Sequence, residues 1–218
     1  MTAIPDTGSF SMPDTAMRFA SIVSIILVPP VPATAAFTLL ALEYQHGTAF
    51  HAGVIWLVSV LFSGWLQTAY ILYQKREARV TAYDVPERLQ RTRPYAVSIA
   101  LSLAGSAMLL FLHASIMVWG LMLCFAVNTL VVLAVNRYWK ISAHLSGLTG
   151  PAMFLLPQYG AWVLCLLPLV ILAGWARIRV NAHTLVQVLA GGLLGAVLTF
   201  AELLLLLQSG AMISRFTP

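Results

Sequence analysis

Two short stretches of this chain combine residue types that can handle a phosphoryl group. "KISAHLSG", Lys140 to Gly147, sets a cation, two hydroxyls and His144 between apolar segments. "ARIRVNAHTLVQ" runs from Ala176 and Arg177 to His183 and Gln187. In both, the histidine falls where a polar stretch gives way to an apolar, helix-like one. Ser142 is the expected N-cap of the first helix and Asn181 of the second, which leaves first-turn amides pointing outward beside each histidine. Outward amides, the positive end of a helix and nearby arginines make an anion site. Two histidines then permit complementary roles, one attacking phosphorus while the other protonates the leaving oxygen.

The elements that must position these groups are apolar throughout. Of 218 residues 60% are hydrophobic and 9% charged, and the mean hydropathy is +0.88, too little polar surface for a soluble globule of this size. A helix crossing the hydrocarbon layer needs roughly 20 apolar residues. Apolar segments fall at about 17–42, 51–73, 95–112, 115–136, 143–157, 160–176 and 182–207. The expected fold is all-α: a polytopic transmembrane bundle of six to seven spans, with its site at one membrane interface. Residues 1–16 read as an N-terminal tail and 17–218 as one transmembrane domain. Pro29, Pro30 and Pro32 should bend or break the first segment, and the fifth is short and contains Pro151.

If all seven segments cross, parity gathers the basic stretches Lys75 to Arg93, Arg137 to Lys140 and Arg177 to Arg179 on one face with Arg18, leaving Arg215 on the other. The positive-inside rule makes that face cytoplasmic and the protein a multi-pass protein of the cell membrane. The formal charge of +5 is too dispersed to indicate nucleic acid. Cys124 and Cys165 lie in apolar segments and read as small hydrophobes. His46, His51 and His113 map to the opposite face without metal-ligand spacing and read as interfacial residues. Asp84 and Glu87 could hold a magnesium ion against a diphosphate, but pairing with neighbouring arginines is simpler. Glu202, roughly 28 Å along a helix from His183, belongs near the opposite interface. The "GGLLG" of the last segment reads as close helix packing.

The histidine-bearing stretches resemble the motifs of the type 2 phosphatidic acid phosphatases, membrane relatives of the vanadium haloperoxidases. The family's third motif is Ser-Arg, five residues, His, three residues, Asp; Ala176, Arg177, His183 and Gln187 stand at those positions. The second, Pro-Ser-Gly-His, corresponds to Ile141, Ser142, Ala143 and His144. The first, Lys, six residues, Arg-Pro, is represented by Arg93-Pro94, with Pro86 at the lysine position. The resemblance covers about a third of the chain. It implies a metal-independent lipid phosphatase without a cofactor, in which His183 forms a phosphohistidine and His144 is the general acid. Arg177, Arg93, Ser142 and the Ala143 amide would bind phosphate oxygens, and Arg88, Arg91 or Lys140 would replace the missing lysine.

Gln187 in place of the aspartate can accept from the His183 ring but brings no charge. The 42 apolar residues from Tyr95 to Asn136 separate motifs that often share one loop, so the resemblance is to a divergent branch. The implied substrate is the phosphomonoester or diphosphate of a lipid, of the polyprenyl or phosphatidate class. Two alternatives remain open: a lipid phosphotransferase using the same first half-reaction, and a catalytically impaired protein that binds phospholipid head groups. Oligomeric state is not encoded legibly.

Overall fold

The computed structural model describes residues 14–44, 47–80, 85 and 87–216. It is helical, with no strand among the described residues. Five helical stretches are long and apolar enough to cross a bilayer: Ala49–Arg76, Leu89–Phe111, Ile116–Asn136, Leu156–Arg179 and Leu185–Ser209. A sixth arises if α1 (Thr15–Ile26) and α2 (Pro30–Tyr44), which meet at a bend of 43°, form one broken span. The expected tail is shorter than residues 1–16, because Asp14 caps α1 by accepting from the Met17 amide. Its residues 1–13, like His46, Asp84 and Pro86, lie outside the described residues.

The break at Pro29 and Pro30 is seated between two glycines. A side chain at Gly64 would come within 2.8 Å of Pro30, and one at Gly147 within 3.2 Å of Pro29. Gly64 belongs to a π-helical turn, Leu61–Trp65, joining α3 (Ala49–Val60) to α4 (Leu66–Arg76). The proline break and the π turn therefore meet inside the bundle, two backbone irregularities buried against protein where lipid could not tolerate them.

The fifth expected crossing, at 143–157, is a 12-residue helix, α7 (Ala143–Phe154). At about 1.5 Å per residue it is too short to cross alone. It has no need to, because it is enclosed by other helices: Leu145, Ser146, Leu148, Gly150, Pro151, Ala152 and Phe154 are all buried. Pro151 sits within the helix without ending it. A short turn, α8 (Leu156–Tyr159), and a 3₁₀ stretch then lead into α9 (Leu167–Arg179).

The last helix, α10 (Leu185–Phe216), packs along α7 through glycines. A Cβ at Gly191 would lie 2.3 Å from the Ser142 carbonyl oxygen, and one at Gly195 would lie 2.6 Å from that of Ser146. The Thr149 hydroxyl adds a cross-helix bond to the Gly192 carbonyl at 2.8 Å. Small residues allow this close approach, which supplies dispersion contacts where the hydrophobic effect is absent. The helix pair formed by α5 (Thr92–Phe111) and α6 (Ile116–Asn136) flanks this centre. The main apolar core, with Phe37, Leu40, Ile55, Leu121, Phe154 and Leu203 fully buried, sits toward the end away from the histidines.

At that distant end His51 uses Nε2 to meet the Leu112 carbonyl at 2.9 Å, tying α3 to the end of α5. Among the described residues no group of three or more His, Cys, Asp or Glu could hold a metal ion.

Candidate functional site

His144 and His183 line one cavity together with Arg91, Tyr95, Ala143 and Val85, and its remaining wall includes Pro29, Pro30 and Gln67. About 100 Å³ of it is open to water, space of the order of a phosphate group. His144 comes from the first turn of α7 and His183 from the loop before α10, and the packing of α10 on α7 unites them. The Ser142 amide donates to the Gln187 backbone carbonyl at 3.3 Å. With Gly191 holding the Ser142 carbonyl close, the two histidine-bearing stretches are locked in register.

The start of α10 differs from its sequence expectation. Asn181 is not its N-cap: it has φ +55° and lies in the left-handed turn that follows α9. Asparagine tolerates that conformation better than most residues. The Ala182 and His183 amides return to the Arg177 carbonyl at 3.1 and 3.2 Å, closing the helix end. The cap is Thr184. Its hydroxyl accepts from the Gln187 amide at 3.4 Å, while its own amide donates to Gln187 Oε1 at 3.2 Å. This is a reciprocal capping box, and its sequence signal, Thr-x-x-Gln, stands in "AHTLVQ" directly after the histidine, as Thr184 to Gln187.

Gln187 Oε1 also meets His183 Nδ1 at 3.2 Å. Since that atom already accepts from the Thr184 amide, it is the carbonyl oxygen and not the amide nitrogen, and Nδ1 must carry the proton. Nε2 keeps its lone pair. Burial, and after it the positive charges of Arg91, Arg177 and Lys140, push the His183 pKa down to about 3, against a smaller opposing effect of Gln187. The ring is neutral at neutral pH, with Nε2 unprotonated.

His144, in the first turn of α7, is held well below the usual histidine range by desolvation, then by the charges of Arg177, His183 and Arg91, while the Ser24 backbone offsets part of this. Ser142 occupies the N-cap position of α7 as expected, but its side chain makes no capping bond. Fully buried, its Oγ has no hydrogen-bond partner among the described residues.

The arginines divide in a way their sequence spacing does not indicate. Arg91 is 3% exposed, donating through Nε to the Val85 carbonyl at 2.8 Å and through Nη1 to that of Ile141 at 3.2 Å. Arg93, the position implied by the resemblance, is exposed and outside the cavity lining. The physical reason is helix phase: α5 begins at Thr92, and Pro94 and Tyr95 turn inward, so Arg93 turns out while Arg91 precedes the helix and reaches back. Arg88 does not line the cavity either; it donates to the Arg137 carbonyl at 2.8 Å and ties its loop to the end of α6. Arg177 is 2% exposed and stands behind the histidines, with Nη1 on the Ser24 hydroxyl at 2.6 Å. Lys140 is partly buried, near enough for its charge to act on His183.

Three contributors carried no motif in the sequence. Ser24 is brought to Arg177 by the packing of α1 against α9, where Ala20, Val23 and Ala176 are buried together. An ion pair between Asp14 and Arg179 fixes the ends of the same helices. Tyr95 lies against the Arg91 guanidinium. Val85 has φ +43°, a strained conformation for a β-branched residue, and its carbonyl is the one that Arg91 engages. The only sequence hint for Ser24 was its closeness to the proline break.

Compared with known proteins, the chain matches no family model, no curated protein and no solved structure.

Proposed function

We propose that this protein is an integral membrane phosphatase acting on the phosphomonoester or diphosphate of a lipid, without a metal, through a phosphohistidine. The observation that supports this reading most is the meeting of His144, His183 and Arg91 in one cavity, with Nδ1 of His183 engaged by Gln187. In the first step His183 Nε2 attacks phosphorus and the bond from phosphorus to the lipid oxygen breaks. His144 gives that oxygen a proton. Water then attacks the phosphohistidine, with His144 taking the proton back, which regenerates both rings.

Because His144 is neutral in the empty site, its proton arrives with the substrate or is drawn in by the substrate's negative charge. Arg91 and the first-turn amides of α7 would hold the phosphate oxygens, and the Ser142 hydroxyl, Arg177 and Lys140 would add to the positive field. The lipid tail would leave laterally past Val28 and Ile71, half-buried apolar residues of the cavity wall. The site face is read as cytoplasmic from the excess of basic residues beside it.

The test is phosphate release by purified protein from phosphatidate and from a polyprenyl diphosphate. Wild type is expected to release phosphate from at least one, and His183→Ala and His144→Ala to lose at least 100-fold, in line with the contribution of general acid–base and nucleophilic groups at about 10²–10⁴. Equal rates for all three proteins would refute the phosphohistidine reading.

A further inference from the structure

A second cavity lies deeper in the bundle, directly beneath the first. It shares Pro29, Gln67, Tyr95 and Ala143 with the histidine cavity, so only the faces of these residues separate the two spaces. About 80 Å³ of it is open to water. Its polar lining comes from five helical elements and includes Ser63, Gln67, Ser98, Asn128, Ser146 and Thr199. No charged residue is among its lining residues.

That lining has a definite preference. An apolar occupant would leave one buried acceptor of this lining, Asn128 Oδ1, without a partner among the described residues, at a cost of about 1–3 kcal/mol on protein scales. The nearest described carboxylate, Glu202, lies behind Asn128, 3.5 Å from its Nδ2, so an ion in the cavity would meet no lining counter-charge to offset its desolvation. A neutral molecule rich in hydroxyls satisfies both conditions. Donors and acceptors are present: Gln67 accepts from Ser98 at 2.9 Å and carries an amide NH₂ as a donor. Asn128 donates to Thr199 at 2.7 Å, while its Oδ1 is buried with no hydrogen-bond partner among the described residues. Neutral polar side chains at this depth also bind helices together, and what singles out this cavity is the unpartnered Asn128 Oδ1 on its lining.

We propose that this inner cavity binds a neutral hydroxyl-bearing molecule, a small polyol or the hydroxylated head of a lipid, and presents it to the histidine cavity as an acceptor for the phosphoryl group. The transfer rests on the phosphohistidine reading above; the binding site does not. In the transfer step the acceptor oxygen forms a bond to phosphorus as the His183 Nε2–phosphorus bond breaks, and the hydroxyl proton passes to His144. A phosphate monoester of the acceptor leaves in place of inorganic phosphate. Water and the alcohol compete for one intermediate, so occupancy of the inner cavity sets the balance between hydrolysis and transfer.

Cys124 lines this cavity and serves as a reporter. In a Cys165→Ser background, which removes the exposed thiol, modification of Cys124 by methyl methanethiosulfonate is measured with increasing glycerol, and with acetate as a charged control. Glycerol should slow modification severalfold and saturably, acetate should not, and Asn128→Leu should abolish the protection. No protection by glycerol, or equal protection in Asn128→Leu, would overturn the site.

The second measurement incubates the protein in mixed micelles with phosphatidate and either glycerol or a monoacylglycerol, and quantifies phosphate and the new phosphate ester separately. Transfer to glycerol alone identifies a free polyol as the acceptor, and transfer to monoacylglycerol identifies a lipid head. Asn128→Leu and Thr199→Val should lower the ratio of transfer to hydrolysis at least fivefold while phosphate release persists. Release without any transfer overturns the acceptor role and leaves the phosphatase reading intact. Neither phosphate nor ester from wild type refutes the phosphatase reading and the transfer together, and the Cys124 protection then decides the binding site by itself.

Discussion

One oxygen, Oε1 of Gln187, stands 3.2 Å from Nδ1 of His183 and 3.2 Å from the amide nitrogen of Thr184. The same side chain therefore caps the last helix and fixes the tautomer of the histidine beside it. Replacing Gln187 by Leu removes both. Loss of the cap should cost about 0.5–2 kcal/mol of stability, read from thermal unfolding in detergent, and phosphate release should fall at least tenfold. Gln187→Asp keeps the acceptor and adds a charge that stabilises a developing imidazolium, so its expected effect is faster release. A slower Gln187→Asp enzyme would mean that the neutral acceptor is suited to this site.

Arg91 and Arg93 are two residues apart but have opposite expected phenotypes. Arg91→Ala should lower activity at least 100-fold and reduce stability, because the Val85 and Ile141 carbonyls lose a buried charged donor. Arg93→Ala should remain within about threefold of wild type, since an exposed arginine outside the cavity contributes little. The reverse order in a paired phosphate-release assay would restore Arg93 as the phosphate contact.

Glycines on α10 separate close packing from free space. Gly191→Ala would force a methyl group to 2.3 Å from the Ser142 carbonyl, whereas at Gly192 the nearest atom is 3.7 Å away. The first should destabilise by about 1–3 kcal/mol or more through overpacking and displace the start of α7, reducing activity as well. Gly192→Ala should be near neutral or slightly stabilising through helix propensity. Matched unfolding curves in one detergent provide the comparison.

The depressed pKa of His183 makes stability depend on pH with a defined sign. Its folded value is about 3 and its unfolded value about 6.5, so between these the unfolded chain binds more protons. Stability should fall as pH drops from about 6.5 toward 3 and be unaffected by this group above that window. His183→Gln should flatten the acid limb of a plot of melting temperature against pH. Inorganic phosphate bound beside the ring supplies negative charge that raises the folded-state pKa toward the unfolded value, so it should shorten the same limb and lessen the loss of stability at acid pH.

The proposed cytoplasmic placement of the site face rests on the basic loops. Arg79 is exposed just beyond α4, so a single cysteine at that position in a background lacking Cys124 and Cys165 should resist an impermeant thiol reagent in intact cells and react after permeabilisation. Labelling before permeabilisation would place the site on the outer face.

The sequence alone determined the helical class, because 60% hydrophobic residues in runs of membrane length leave the backbone no other way to satisfy its hydrogen bonds. It also located the two histidines, since residues costly to bury are conspicuous in an apolar chain, and it read Gly191 and Gly195 as packing positions and the prolines at 29 and 30 as a break. Tertiary structure decided the rest. Helix phase chose Arg91 over Arg93, a difference of two residues that composition cannot see. The left-handed turn at Asn181 moved the cap to Thr184 and gave Gln187 its double role, because a cap is defined by where the previous helix ends. Enclosure by neighbouring helices let α7 remain short. The inner polar cavity was not visible in any one segment: its hydroxyls and amides sit singly on separate helices, and only packing brings them to one space beside the histidines.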